Sequence, residues 1–72
     1  MSETYKMIEI VGTSVESLSK AIDNAIQECA KTVRGMSWFE VVEQRGRVAD
    51  GKVAEFQVKL KVGFKLQRDA EG

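Results

Sequence analysis

The chain contains no histidine, no proline and only one cysteine, Cys29. Without histidine, the usual neutral-pH general base and the commonest metal ligand are both missing. A single cysteine excludes an internal disulfide framework. On an apolar helix face it reads as a small core residue, not a nucleophile or ligand. No apolar run is long enough to cross a bilayer and no secretory leader is legible, so the expected setting is the cytoplasm. Charge of either sign is not in excess: 11 Lys and Arg balance 11 Asp and Glu. That excludes a general attraction for nucleic acid or an anionic membrane. The carboxylates are scattered over surface-type positions, with no pair spaced for acid–base work. Together these absences argue against an enzyme. They also leave a chain of 72 residues, one domain over 1–72 with 67–72 as a polar tail, short of staples. A core this small is marginal alone, and with metals and disulfides set aside, partner subunits remain.

What is present is organised around a helix expected over Ser14–Arg34. Leu18, Ala21, Ile22, Ala25, Ile26, Cys29, Ala30 and Val33 follow the i, i+3, i+4, i+7 series of one helical face. Thr13 or Ser14 is the expected cap, with Glu16 as the acid of a capping box. Lys31 and Arg34 suit the negative end of the dipole, and Gly35 the stop. The small residues on the buried face predict close packing on a sheet.

Three strands surround it. Tyr5–Val11 is a strand by its Tyr, Ile and Val content, with Gly12-Thr13 as the turn into the helix. Ser37–Arg45 is a second, with a bulge or bend at Gly46. Asp50-Gly51 signals a two-residue hairpin turn. In the last strand Ala54, Phe56, Val58, Leu60, Val62, Phe64 and Leu66 alternate strictly with polar residues and glycine, the pattern of a half-buried strand in an antiparallel sheet. The order is β-α-β-β and the class α+β: a three-stranded antiparallel sheet wrapped around one long helix. A strand over 53–66 spans about 46 Å, and the helix about 30 Å. The uncovered excess predicts an oligomer.

Counting back from the hairpin turn pairs Phe39 with Val62 and Val41 with Leu60 on the core side. Trp38 then faces Gly63, Glu40 faces Lys61 and Gln44 faces Gln57 on the outer side, while Arg45 falls on the core side unless a bulge intervenes. The lone tryptophan thus stands on the outer face. There it covers Gly63, packs at an interface or stacks on a ligand. Gln57 shares that face, but lies about 20 Å along the strand from Gly63. One small ligand meets both only if neighbouring subunits bring them together.

Lys6–Ser14, Trp38-Phe39-Glu40-Val41 and Glu55–Phe64 resemble the dodecin family, over nearly the whole chain and in the same element order. The resemblance implies a hollow homododecamer that binds flavin, riboflavin or FMN, between subunits. It implies that flavin stacks on Trp38 and that Gln57 hydrogen-bonds the polar edge of the ring. Arg45 and Lys65 match basic positions near the flavin in bacterial members. It further implies sequestration, storage and photoprotection without turnover. Some bacterial members are associated with coenzyme A, for which Lys6, Lys31 and Arg34 are the candidates here. The competing reading is an interaction module in which Trp38 is only an interface anchor.

Overall fold

The computed structural model describes residues 3–66. Strand β1 (Tyr5–Ser14) leads to helix α1 (Leu18–Cys29), and strands β2 (Met36–Ala49) and β3 (Lys52–Lys65) form a long hairpin. The sheet order is β1-β3-β2, antiparallel throughout. This is the expected α+β arrangement, with the strictly alternating strand at the centre. The hairpin turn is as anticipated: Asp50 and Gly51 both take positive φ, 54° and 73°, as a type I′ turn requires. The expected polar tail, 67–72, lies outside the described residues.

The helix is shorter than its apolar pattern. Expected over Ser14–Arg34, it runs from Leu18 to Cys29. At its start, the Ser14 hydroxyl accepts the backbone N–H of Glu16 at 2.9 Å, a local alternative to helical bonding. The cap is Ser17, whose Oγ accepts from Lys20 N at 3.0 Å, so Glu16 belongs to no capping box. At the other end the stripe continues through Ala30 and Val33, but the chain leaves the helix in a tight turn, Thr32 N donating to Cys29 O. The β-branched pair Thr32-Val33 favours that exit. Lys31 and Arg34 therefore lie beyond the last helical turn. Gly35 takes φ 77° in the approach to β2, where its carbonyl accepts from Lys65 N.

The Gly12-Thr13 turn is also corrected. Both residues continue β1, opposite Val58 and Gln57. Gly12 has another use: a Cβ there would fall within 3.0 Å of both Ala21 O and Ala25 Cβ. The bare glycine and the two alanines let α1 lie directly on β1. Ala21 and Ala25 are buried with Val58 and Leu60, and Ile10, Leu18, Ile22 and Ile26 pack around them.

That core covers only part of the sheet. Twelve helical residues extend about 18 Å, against about 46 Å for the fourteen of β3. Helix α1 packs on β1 and β3 and leaves β2 almost bare. Phe39 and Val41 do pair with Val62 and Leu60 on the helix side, yet they are 45% and 42% exposed. They belong to the core by register only, because little among the described residues lies over them. The open flank forms a largely apolar groove of about 260 Å³, where Ile22, Ile26, Met36, Phe39 and Val62 are joined by Asp23, Ser37 and Trp38. The molecule measures 57 × 20 × 13 Å with a radius of gyration of 15.2 Å, where a compact chain of this length has about 11 Å.

Candidate functional site

The face of the sheet away from α1 carries the residues singled out above, in two groups. Trp38 pairs with Gly63 as expected. Its indole lies across the glycine: a Cβ at position 63 would come within 3.0 Å of Cζ2, Cε2 and Cη2. Only glycine gives a flat seat for so large a ring. Trp38 remains 41% exposed, so a planar aromatic surface is open to solvent.

Gly63→Ala tests this seat. The added methyl must drive the indole off the sheet, since the three atoms nearest to it all belong to that ring. The expected result is red-shifted Trp38 emission with the far-UV circular dichroism preserved. Unchanged emission means that the ring does not rest on Gly63.

The indole reaches across β3 to β1. Tyr5 meets it there, ring centroids 5.1 Å apart at 57°, a tilted geometry that aromatic pairs favour. The Tyr5 hydroxyl donates to Glu3 Oε1 at 3.1 Å, and Lys65 Nζ sits 3.1 Å from Glu3 Oε2. The hydrogen bond from Lys65, that from Tyr5 and the Lys65 charge, in that order, hold the Glu3 carboxyl below the usual range. Lys65 is thus near Trp38, as expected of an outer-face residue, but it is engaged by a carboxylate. Neither Tyr5 nor Glu3 was singled out in the sequence. The available signal was the parity of Tyr5, which puts it on the outer side of β1, combined with a glycine opposite Trp38.

The second group lies at the other end of β3, and here the register differs from the simple count. Gln57 faces Arg45, not Gln44. The pairing slips between Val41 and Glu43, with Val42 as the extra residue, and slips back between Arg47 and Val48. The bulge thus lies at Val42. Gly46 pairs regularly with Phe56. This slip brings Arg45 to the outer face, off the core side that strict alternation assigns to it. Its Nε donates to Gln57 Oε1 at 2.9 Å and its Nη1 to Glu43 Oε1 at 2.9 Å. Gln57 Nε2 in turn donates to Glu55 Oε1 at 3.0 Å. The Gln57 amide keeps one N–H and one lone pair unused by these bonds. It can still present a donor and an acceptor to the edge of a planar heterocycle.

Trp38 with Lys65, and Arg45 with Gln57, are thus two separate groups on the outer face. Gln57 and Gly63 are six residues apart on one strand, about 20 Å, and a single chain does not bring them together. The other basic candidates lie elsewhere. Lys6 is opposite Phe64 on the helix side, Arg34 adjoins Gly35, and Lys31 is paired with Glu28 at 3.2 Å. Among the described residues no three His, Cys, Asp or Glu side chains are grouped to hold a metal, and no helix is long and apolar enough to cross a membrane.

Comparison with known proteins gives the same family from sequence and from structure. The family model Dodecin matches residues 4–67. The dodecin of Thermus thermophilus is 48% identical over 67 residues, 93% of this chain and 97% of that protein. The calcium dodecin of Mycobacterium tuberculosis is 33% identical over 63 residues, 88% of this chain and 89% of that protein. Among solved structures, the dodecin from Streptomyces davaonensis aligns with a TM-score of 0.90 at 46% identity, covering 94% of this chain and 100% of that one.

Proposed function

This chain belongs to the dodecin family, and from that premise we propose that it binds flavin, riboflavin or FMN, and stores it in the cytoplasm without turning it over. The observation that carries this reading is the Trp38 indole, seated on Gly63 with a face open to solvent. An isoalloxazine ring has the planarity and size to stack there. The Arg45–Gln57 pair matches the ring's polar edge, which alternates acceptors with an N–H donor. Arg45 and Lys65 are the cations available to a carbonyl or phosphate oxygen by charge-assisted hydrogen bonds.

The two groups meet only across a subunit boundary, so the reading includes assembly into a closed homododecamer. The elongated shape and the bare flank of β2 support it, since closed symmetry is the common way to cover such surfaces. Within the shell, the indole donates an electron to photoexcited flavin and takes it back. This dissipates the excitation with no net chemistry, which is photoprotection. Coenzyme A is a separate ligand in this reading, with Lys6, Lys31 and Arg34 as its candidate partners. Calcium, named for the Mycobacterium relative, finds no matching carboxylate group among the described residues.

The second reading is an interaction module with Trp38 as an interface anchor, and the similar exposure of Phe39, Val41 and Trp38 favours it. Titration of riboflavin and FMN against the assembled protein separates the two, with flavin fluorescence as the signal and light scattering reporting assembly. Saturable quenching by an assembled shell is the expected outcome. An assembled shell that leaves both flavins fluorescent and free supports the interaction module instead.

A further inference from the structure

The aromatic ring next to Trp38 has no part in the site as described so far, although its placement is specific. Tyr5 stands on β1, two strands away from β2, and still touches the indole. Gly63 lowers the indole onto β3, but a glycine supplies no lateral stop. An indole on a flat, solvent-exposed face turns about χ1 and χ2 unless something beside it blocks the motion. The Tyr5 ring is that block on the β1 side. Tyr5 is in turn held at its far end, where its hydroxyl donates to Glu3 and Glu3 is gripped by Lys65. Lys65 and Tyr5 are paired neighbours on adjacent strands. Lys65, Glu3, Tyr5 and Trp38 thus form a continuous chain of contacts.

We propose that Tyr5 is a positioning residue of the Trp38 site, its ring fixing the indole in the orientation that stacks on the ligand. This rests on the reading of Trp38 as a flavin-stacking surface. A ring already held in place loses less freedom when ligand arrives, so the benefit appears as affinity. The ring matters more than the hydroxyl, because it alone touches the indole. The Glu3 bond steadies Tyr5 from outside, between groups that are half exposed and screened by water.

The sole tryptophan makes the test direct. Time-resolved fluorescence anisotropy of Trp38 is measured in the ligand-free assembled protein for the parent, Tyr5→Phe, Tyr5→Leu and Tyr5→Thr. Riboflavin is then titrated into each. Tyr5→Leu and Tyr5→Thr should show a larger fast component in the anisotropy decay. Their riboflavin affinity should fall by about two- to tenfold, the range that corresponds to the coupling of an aromatic pair. Tyr5→Phe should restore both properties to near the parent. A residue that only stabilised the fold would lower the melting temperature and leave Trp38 anisotropy unchanged well below it. Parental anisotropy in the assembled Leu and Thr variants overturns the proposal, as does an unchanged riboflavin affinity. Failure of both to assemble also overturns it, because Tyr5 then serves assembly. A parent that binds no riboflavin defeats the flavin reading, while the ligand-free anisotropy still decides whether Tyr5 holds the indole.

Discussion

Trp38→Ala is expected to weaken flavin binding by at least tenfold, about 1.4 kcal/mol, with the fold retained. The aromatic contact contributes about 0.5–1.5 kcal/mol beyond burial, and the ring area lost from the contact adds at about 25 cal/mol per Å². Within the proposed symmetric shell, every copy of the site loses its indole at once. The fold is spared because the core is on the other side of the sheet, where Ala21, Ala25, Val58 and Leu60 are packed. Flavin that still binds should fluoresce more strongly, its nearest electron donor being gone. Gln57→Ala should behave differently: weaker binding, but a bound fraction that stays quenched, since stacking survives. Fluorescence titration of both variants beside the parent, with light scattering in parallel, decides the matter. Parental affinity and quenching in an assembled Trp38→Ala shell would show that flavin binds somewhere else.

Gly12→Val should be the most damaging single change to stability. Its Cβ would lie within 3.0 Å of the Ala21 carbonyl oxygen and Ala25 Cβ. The oxygen is part of the helix backbone and cannot swing aside, so α1 must lift from β1. Overpacking of this kind costs about 1–3 kcal/mol, occasionally more, and the two γ-methyls of valine worsen it. For a domain of this size each kcal/mol lowers the melting point by about 4–8 °C, so a fall of roughly 10 °C or more is expected. Gly51→Ala is the control. Gly51 has positive φ but open space around it, so only backbone strain of about 1–2 kcal/mol is added. Thermal melts at matched protein concentration, which holds any assembly contribution constant, should rank Gly12→Val well below Gly51→Ala. Equal melting temperatures would mean that helix and strand do not meet at Gly12.

Features decided by local chemistry were legible in the sequence. Period-two alternation identified β3 as a half-buried strand of an antiparallel sheet, and Asp50-Gly51 set the hairpin. Trp38 opposite Gly63 and Glu40 opposite Lys61 came out right by counting from the turn, but only because two slips along the way cancel. Between the slips the count failed, and Arg45 was assigned to the wrong side. Consecutive valines at 41 and 42 suit either face, so nothing in their type marks the bulge. The helix ends were misread because Ser14 can serve either a helix cap or a local turn. The bareness of β2 was illegible for another reason: Phe39 and Val41 are core-type residues whose cover the described residues do not supply. At the candidate site, parity alone put Trp38 on the outer face opposite Gly63, while its stacking role is what the family resemblance implies. Its Tyr5 neighbour required knowing that β1 and β2 flank β3, which sequence order does not reveal.

The paired slips in the hairpin restrict how this chain can change length. Between Val41 and Glu43 the extra residue is on β2; between Arg47 and Val48 it is on β3, at Ala54. Losing Val42 and Ala54 together would leave both ends of the hairpin in step, with Trp38 still opposite Gly63 and Arg45 still opposite Gln57. Losing either alone would put one end out of step with the other, either parting Trp38 from Gly63 or spoiling the two-residue turn. Insertions and deletions in this hairpin should therefore be tolerated in twos, one from each strand. The count of residues between tryptophan and turn is inherited jointly with the count between turn and glycine.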